Sequence, residues 1–87
     1  MALWELVPVD SDTRHWCDSR YCGSALIRAH SEADARYLAS LRFHAGPIIE
    51  GSRLSPENPW FCTQVVACRK VDDDVWPPDG EVRVLVP

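Results

Sequence analysis

No run in the 87 residues approaches the ~20 apolar residues that a bilayer-spanning helix needs, and the opening MALWELVPVD has neither a basic leader nor a continuous apolar stretch. The expectation is a cytoplasmic chain that does not enter a membrane. A surplus of basic charge is missing too: 9 Lys and Arg stand against 13 Asp and Glu, for a net charge of -4 at pH 7. The average surface therefore repels a phosphate backbone. Only Arg69 and Lys70 are adjacent, so a basic patch would have to be assembled by folding. Internal repeats, low-complexity tracts and recognisable catalytic motifs are also absent.

The four cysteines are not spaced as zinc knuckles. Cys17 and Cys22 are five residues apart and Cys62 and Cys68 six apart, whereas C-x2-C turns are what let two thiolates converge on one ion. On one extended strand Cys62 and Cys68 would stand about 20 Å apart at about 3.3 Å per residue, too far for a shared metal or a disulfide. His15, Cys17 and Cys22 are the candidate ligands if a metal binds, but the expectation is no cofactor and reduced thiols. A nucleophile built from His15 and Cys17 would need an orienting group and an oxyanion site, which the sequence does not identify. Asp72, Asp73 and Asp74 are followed by no calcium-loop pattern and read as a solvated strand end.

What is present is an ordinary globular composition, 46% hydrophobic and 25% charged. At this length one domain over 1–87 is expected, burying about 60% of the surface its unfolded chain exposes. Residues 3–9 mix β-branched and aromatic side chains and read as a first strand. The segment 12–23 has no period and reads as a loop. In 24–30, Ala25, Ile27 and Ala29 alternate with Arg28 and His30, as in a half-buried strand.

Ser31 stands at a helix N-cap position, with Asp34 three residues on. The stripe of Ala33, Tyr37, Leu38, Leu41 and Ala45 is then the expected core face, with Glu32 and Arg36 paired on the solvated side. Phe43 falls nearly opposite Leu41, so either the helix ends near Arg42 or Phe43 lies on an exposed or partner-covered face. Gly46-Pro47 is the stop. Residues 48–59 read as a long loop, in which Ser55-Pro56-Glu57 could cap one turn. Residues 63–71 read as a strand apolar on both faces, and 81–86, after the turn signal of Pro77-Pro78-Asp79-Gly80, as the last strand.

The expected fold is thus α+β, in the order β-β-α-β-β, with one helix on one face of a mainly antiparallel sheet. If the helix covers Ile27, Val65, Val82 and Val84, the face carrying Leu26, Val66 and Leu85 is left over. The 48–60 loop or a second copy of the chain is expected to close it.

The run GSALIRAHSEADARYLA, with weaker echoes at WELVPVD and PWFCTQVVACRKV, resembles short bacterial proteins that pair a strand with a Ser-capped, Ala-rich helix. The resemblance implies a bacterial, cytoplasmic origin and carries no activity and no catalytic residues. The functional expectation is a non-enzymatic protein-interaction or regulatory domain, with a protein partner or a second copy bound through Trp16, Tyr21, Phe43, Trp60 and Trp76. The alternatives are a zinc or thiol-redox protein, a small hydrolase around His15 and Cys17, and an antitoxin-like nucleic-acid binder using Arg69 and Lys70.

Overall fold

The computed structural model describes residues 1–46 and 58–87. Four strands, Ala2–Pro8 (β1), Ala25–Ala29 (β2), Val66–Val71 (β3) and Arg83–Val86 (β4), form one antiparallel sheet in the order β3-β1-β2-β4. Among the described residues a single α-helix, Glu32–Arg42 (α1), packs against this sheet, as the sequence pattern predicts. Two short 3-10 turns, Arg14–Asp18 and Pro59–Phe61, add to the expected order. The expected 48–59 loop and its Ser55-Pro56-Glu57 turn lie outside the described residues, except for Asn58 and Pro59.

Ser31 caps α1 as its position suggests: its backbone is extended and its Oγ accepts from the Asp34 N–H at 3.1 Å. The face that α1 buries, however, is not the expected one. Ala35, Ala39 and Ser40 are fully buried and Arg36 nearly so, while Ala33 is exposed and Tyr37 is 52% exposed. Leu38 and Leu41 sit at the margin. The buried stripe continues into Phe43, which ends the helix and is 3% exposed. The reason is steric: two alanines let the helix approach the sheet closely, and the indole of Trp60, fully buried, fills the volume that larger helix residues would otherwise take. The Glu32–Arg36 pair forms at 2.9 Å, but Arg36 lies inward and also donates from Nη1 to the Trp60 carbonyl at 3.0 Å.

In β2 the expected parity is observed, with Ala25, Ile27 and Ala29 at 2% exposure or less beneath the helix. Residue Trp4 pairs with Ile27 and Leu6 with Ala25, so the even residues of β1 share that face. In β3 the parity is reversed from expectation. Residues 62–66 form a turn in which the Cys62 carbonyl accepts from both Val65 and Val66 N–H, and the strand starts only at Val66. Val66 and Cys68, rather than Ala67, therefore accompany Leu6 on the helix side, and Val65 is buried as a turn residue. Val82 precedes β4 and is 37% exposed.

Pro8 closes β1 without disturbing the ladder. Val9 N–H donates to the Val65 carbonyl at 2.9 Å, which by the two-residue repeat turns the odd residues of β1 toward β3 and points the Pro8 nitrogen the other way.

Val71, Leu3, Arg28 and Arg83 lie on one rung across all four strands. Residues 72–82 must therefore travel from one edge of the sheet to the other at the level of that rung, about 14 Å for three strand spacings of about 4.8 Å. They cross on the face opposite α1, where Arg28 holds them by donating from Nε to the Pro77 carbonyl at 3.1 Å and from Nη1 to the Glu81 carbonyl at 3.2 Å. Leu3 and Arg28, on the face expected to need a loop or a partner, are 1% and 6% exposed. The β3–β4 connection is thus fastened over Arg28 on this face, while the 48–57 part of the loop expected there lies outside the described residues.

Candidate functional site

The aromatic residues singled out from the sequence fall in three different environments. Trp60 and Phe43 belong to the core and present no surface. Trp16 meets Trp60 edge-on at 5.5 Å, and Tyr21 packs on Phe43 at 4.7 Å, so both are rim residues of the same cluster. Ser19 ties that cluster together: its Oγ accepts from Trp60 Nε1 at 3.1 Å and donates to the Tyr21 carbonyl at 2.7 Å. Trp76 is separate, half-buried on the 72–82 crossing with the Arg83 guanidinium 5.5 Å from its ring centre. The crowding of tryptophans in apparent loops thus reflects how the 13–23 segment is pinned to the end of α1, a contact continued by Arg20 N–H to the Phe43 carbonyl at 2.8 Å.

His15 and Cys17 lie together on the first 3-10 turn, beside a cavity of about 470 Å³ that Arg14 and Asp18 complete. His15 Nδ1 is 2.9 Å from the Thr13 hydroxyl, so a neutral group in the same turn orients the ring. His15 also lines a cavity of about 290 Å³ with Cys62 and Gln64. Among the described residues no three His, Cys, Asp or Glu side chains group as a metal ion requires, and no disulfide joins the cysteines. Burial, and then the charge of Asp12, raise the Cys22 thiol above its usual range. Cys68 is pushed up to about 11 by burial and by Glu32, against a smaller opposing effect of Arg36. Neither environment activates a thiolate.

A further groove lies on the far face of the sheet, next to the 72–82 crossing. The crossing is fastened over Arg28 but stops short of the next rung, and the groove, of about 320 Å³, runs there. Leu26, Val71 and Val86 supply its apolar lining. A bulge sets this up: Ile27 pairs with Val84 but Leu26 with Val86, so Leu85 is an extra residue and Val86 is turned up beside Leu26. Val86 is 45% exposed. Glu5 and Arg69, both lining the groove, face each other across β1 and β3 and are joined through Glu5 Oε1, at 2.8 Å from Arg69 Nε and 2.7 Å from Nη2. Asp72 and Asp73 line it where the crossing leaves the sheet. Asp73 Oδ1 also accepts from the Val75 and Trp76 N–H groups, which fixes the crossing's first turn.

Sequence reasoning placed Leu26 on this second face but missed Arg69, Asp72 and Asp73 as parts of one site. The missing signal is topological, because nothing in the local pattern says that β3 and β4 occupy opposite edges. Among the described residues no helix is long and apolar enough to cross a membrane. No protein-family model matches the chain, and neither a curated protein nor a solved structure is similar enough to count as a match.

Proposed function

We propose that the chain is a non-enzymatic protein-interaction domain that receives a partner in the groove on the helix-distal face of its sheet. The observation that supports this is the half-roofed face: the 72–82 crossing is fastened over Arg28, with Leu3 buried on the same rung, yet Leu26, Val71 and Val86 line an open channel. An apolar floor with charged walls is the anatomy of a recognition surface, and apolar surface left open on a small domain is stabilised by being covered. None of the four cysteines lines this groove, and burial raises the Cys22 and Cys68 thiols above the usual range.

The test is a photo-crosslinking amino acid in place of Val86, compared with one in place of Asp34 on the exposed side of α1. A discrete covalent adduct formed from position 86, absent from position 34 and suppressed by Leu26→Asp, is expected. Adducts of the same kind from both positions, or none from position 86, overturn the reading.

A further inference from the structure

We infer that the occupant of the groove is an extended, lysine- or arginine-bearing segment of another protein, bound with an apolar side chain on Leu26, Val71 and Val86 and a cationic one against Asp72 and Asp73. The inference rests on the docking role proposed above and adds the chemistry of the partner. It follows from the balance of charge around the groove. Glu5 and Arg69 satisfy each other through the same carboxylate oxygen, so that pair contributes no net charge. Asp72 and Asp73 both line the groove, both are exposed, and neither forms an ion pair among the described residues. The groove therefore carries two uncompensated negative charges beside an apolar floor.

That arrangement discriminates among occupants. A second copy placed face to face would bring a second Asp72–Asp73 pair into the same interface, between chains that each carry a net charge of -4, so it adds negative charge where the groove lacks positive charge. A nucleic acid or an acidic segment meets the same repulsion. A cationic, alternating segment meets none, and its period of two suits a floor built on a sheet.

The experiment is an NMR titration of the whole ¹⁵N-labelled chain with two capped pentapeptides, Lys-Val-Lys-Val-Lys and Glu-Val-Glu-Val-Glu. The lysine peptide is expected to shift the amides of Leu26, Val71, Asp72 and Val86, and to bind less tightly as salt is raised from 50 to 500 mM. Asp72→Asn with Asp73→Asn should weaken it by about three- to tenfold, the size expected for two exposed charge contacts. Asn at 73 keeps the oxygen that accepts from Val75 and Trp76, so the crossing stays in place. Asp72→Asn alone gives the same direction of change. Equal binding of the two peptides, shifts centred elsewhere, or no binding of the lysine peptide overturns the inference. Groove-specific crosslinking from position 86 that persists alongside a negative titration removes this partner chemistry and leaves the docking role standing, whereas failure of both removes both.

Discussion

Replacing Trp60 by alanine should remove a large part of the stability of the whole domain, although the sequence places this residue next to a proline in an apparent loop. The indole is fully buried against Phe43 at 5.1 Å, Tyr21 at 6.4 Å and Trp16 at 5.5 Å. A tryptophan buries about 150–250 Å², which at about 25 cal/mol per Å² corresponds to about 4–6 kcal/mol. Measured Trp-to-Ala truncations in cores cost a similar ~3–5 kcal/mol. A chain of this length has about 4–13 kcal/mol in all, at about 0.05–0.15 kcal/mol per residue. Trp60→Ala is therefore expected to lose between a third and all of the folding free energy. Urea unfolding followed by far-ultraviolet circular dichroism measures it. Trp76→Ala is the control: only partly buried and with one cation–π contact to Arg83, it should cost less, about 2–4 kcal/mol by the same area reasoning. Trp60→Phe should fall between wild type and Trp60→Ala, since the ring is largely kept while the bond from Nε1 to Ser19, about 1 kcal/mol, is lost. A Trp60→Ala midpoint indistinguishable from that of Trp76→Ala would refute the placement of Trp60 at the centre of the core.

Gly80→Ala should destabilise by about 1–3 kcal/mol, because Gly80 has a φ of +146° and a β-carbon there would stand 2.6 Å from Arg28 Nη1; thermal unfolding and hydrogen exchange of 72–82 read this directly. Ser31→Ala should cost about 1 kcal/mol through loss of the bond to Asp34 N–H, while Ser31→Asp should largely restore it. In the folded chain Cys68 should react with iodoacetamide far more slowly than exposed Cys17 at pH 8, and gain on it only as the pH approaches 11. Its folded pKa is raised above the ordinary thiol value of 9.0, so its contribution to stability is full below about 9 and is lost as the pH rises toward about 11. Equal alkylation of Cys68 and Cys17 at pH 8 would contradict the partial burial of Cys68 on the helix side of β3.

Signals confined to one element were legible in the sequence. Ser31 caps the helix, the alternation of Ala25, Ile27 and Ala29 marks the inner face of β2, and the misfit of Phe43 with the stripe marks the end of the helix at Arg42, ahead of the expected stop at Gly46-Pro47. Signals that depend on two elements meeting were not. The stripe of Tyr37, Leu38 and Leu41 is the more hydrophobic side of α1, but Ala35 and Ala39 are what allow Trp60 and Ile27 to pack beneath it, and no period within the helix reveals that. The parity of β3 was misread for a related reason. The 63–71 run alternates throughout, yet the turn over 62–66 uses its first three residues, and a strand that starts at an even residue turns Val66 and Cys68 inward. Arg28 and Arg36 look like surface residues by type. Each is buried because a backbone carbonyl from a distant segment meets its guanidinium, Pro77 and Glu81 in one case and Trp60 in the other.

The groove and its cover have a single topological cause. Placing β3 and β4 on opposite edges obliges their connection to traverse the sheet, and fixing both ends on the rung of Val71, Leu3, Arg28 and Arg83 confines that traverse to one end of the outer face. A hairpin between adjacent strands would have left all of that face open, and a helical crossover would have covered all of it. An irregular crossing covers one band, and it takes with it the Asp72–Asp74 run that ends β3, so negative charge is delivered to the border between covered and open sheet. Arg28 is the fastening, since its side chain rises from β2 and binds two carbonyls of the crossing on either side of Gly80, where only a missing side chain lets the guanidinium come so near. Shifting either strand by one rung would move the covered band and carry the groove with it, so the site is a property of the strand order rather than of any loop considered alone.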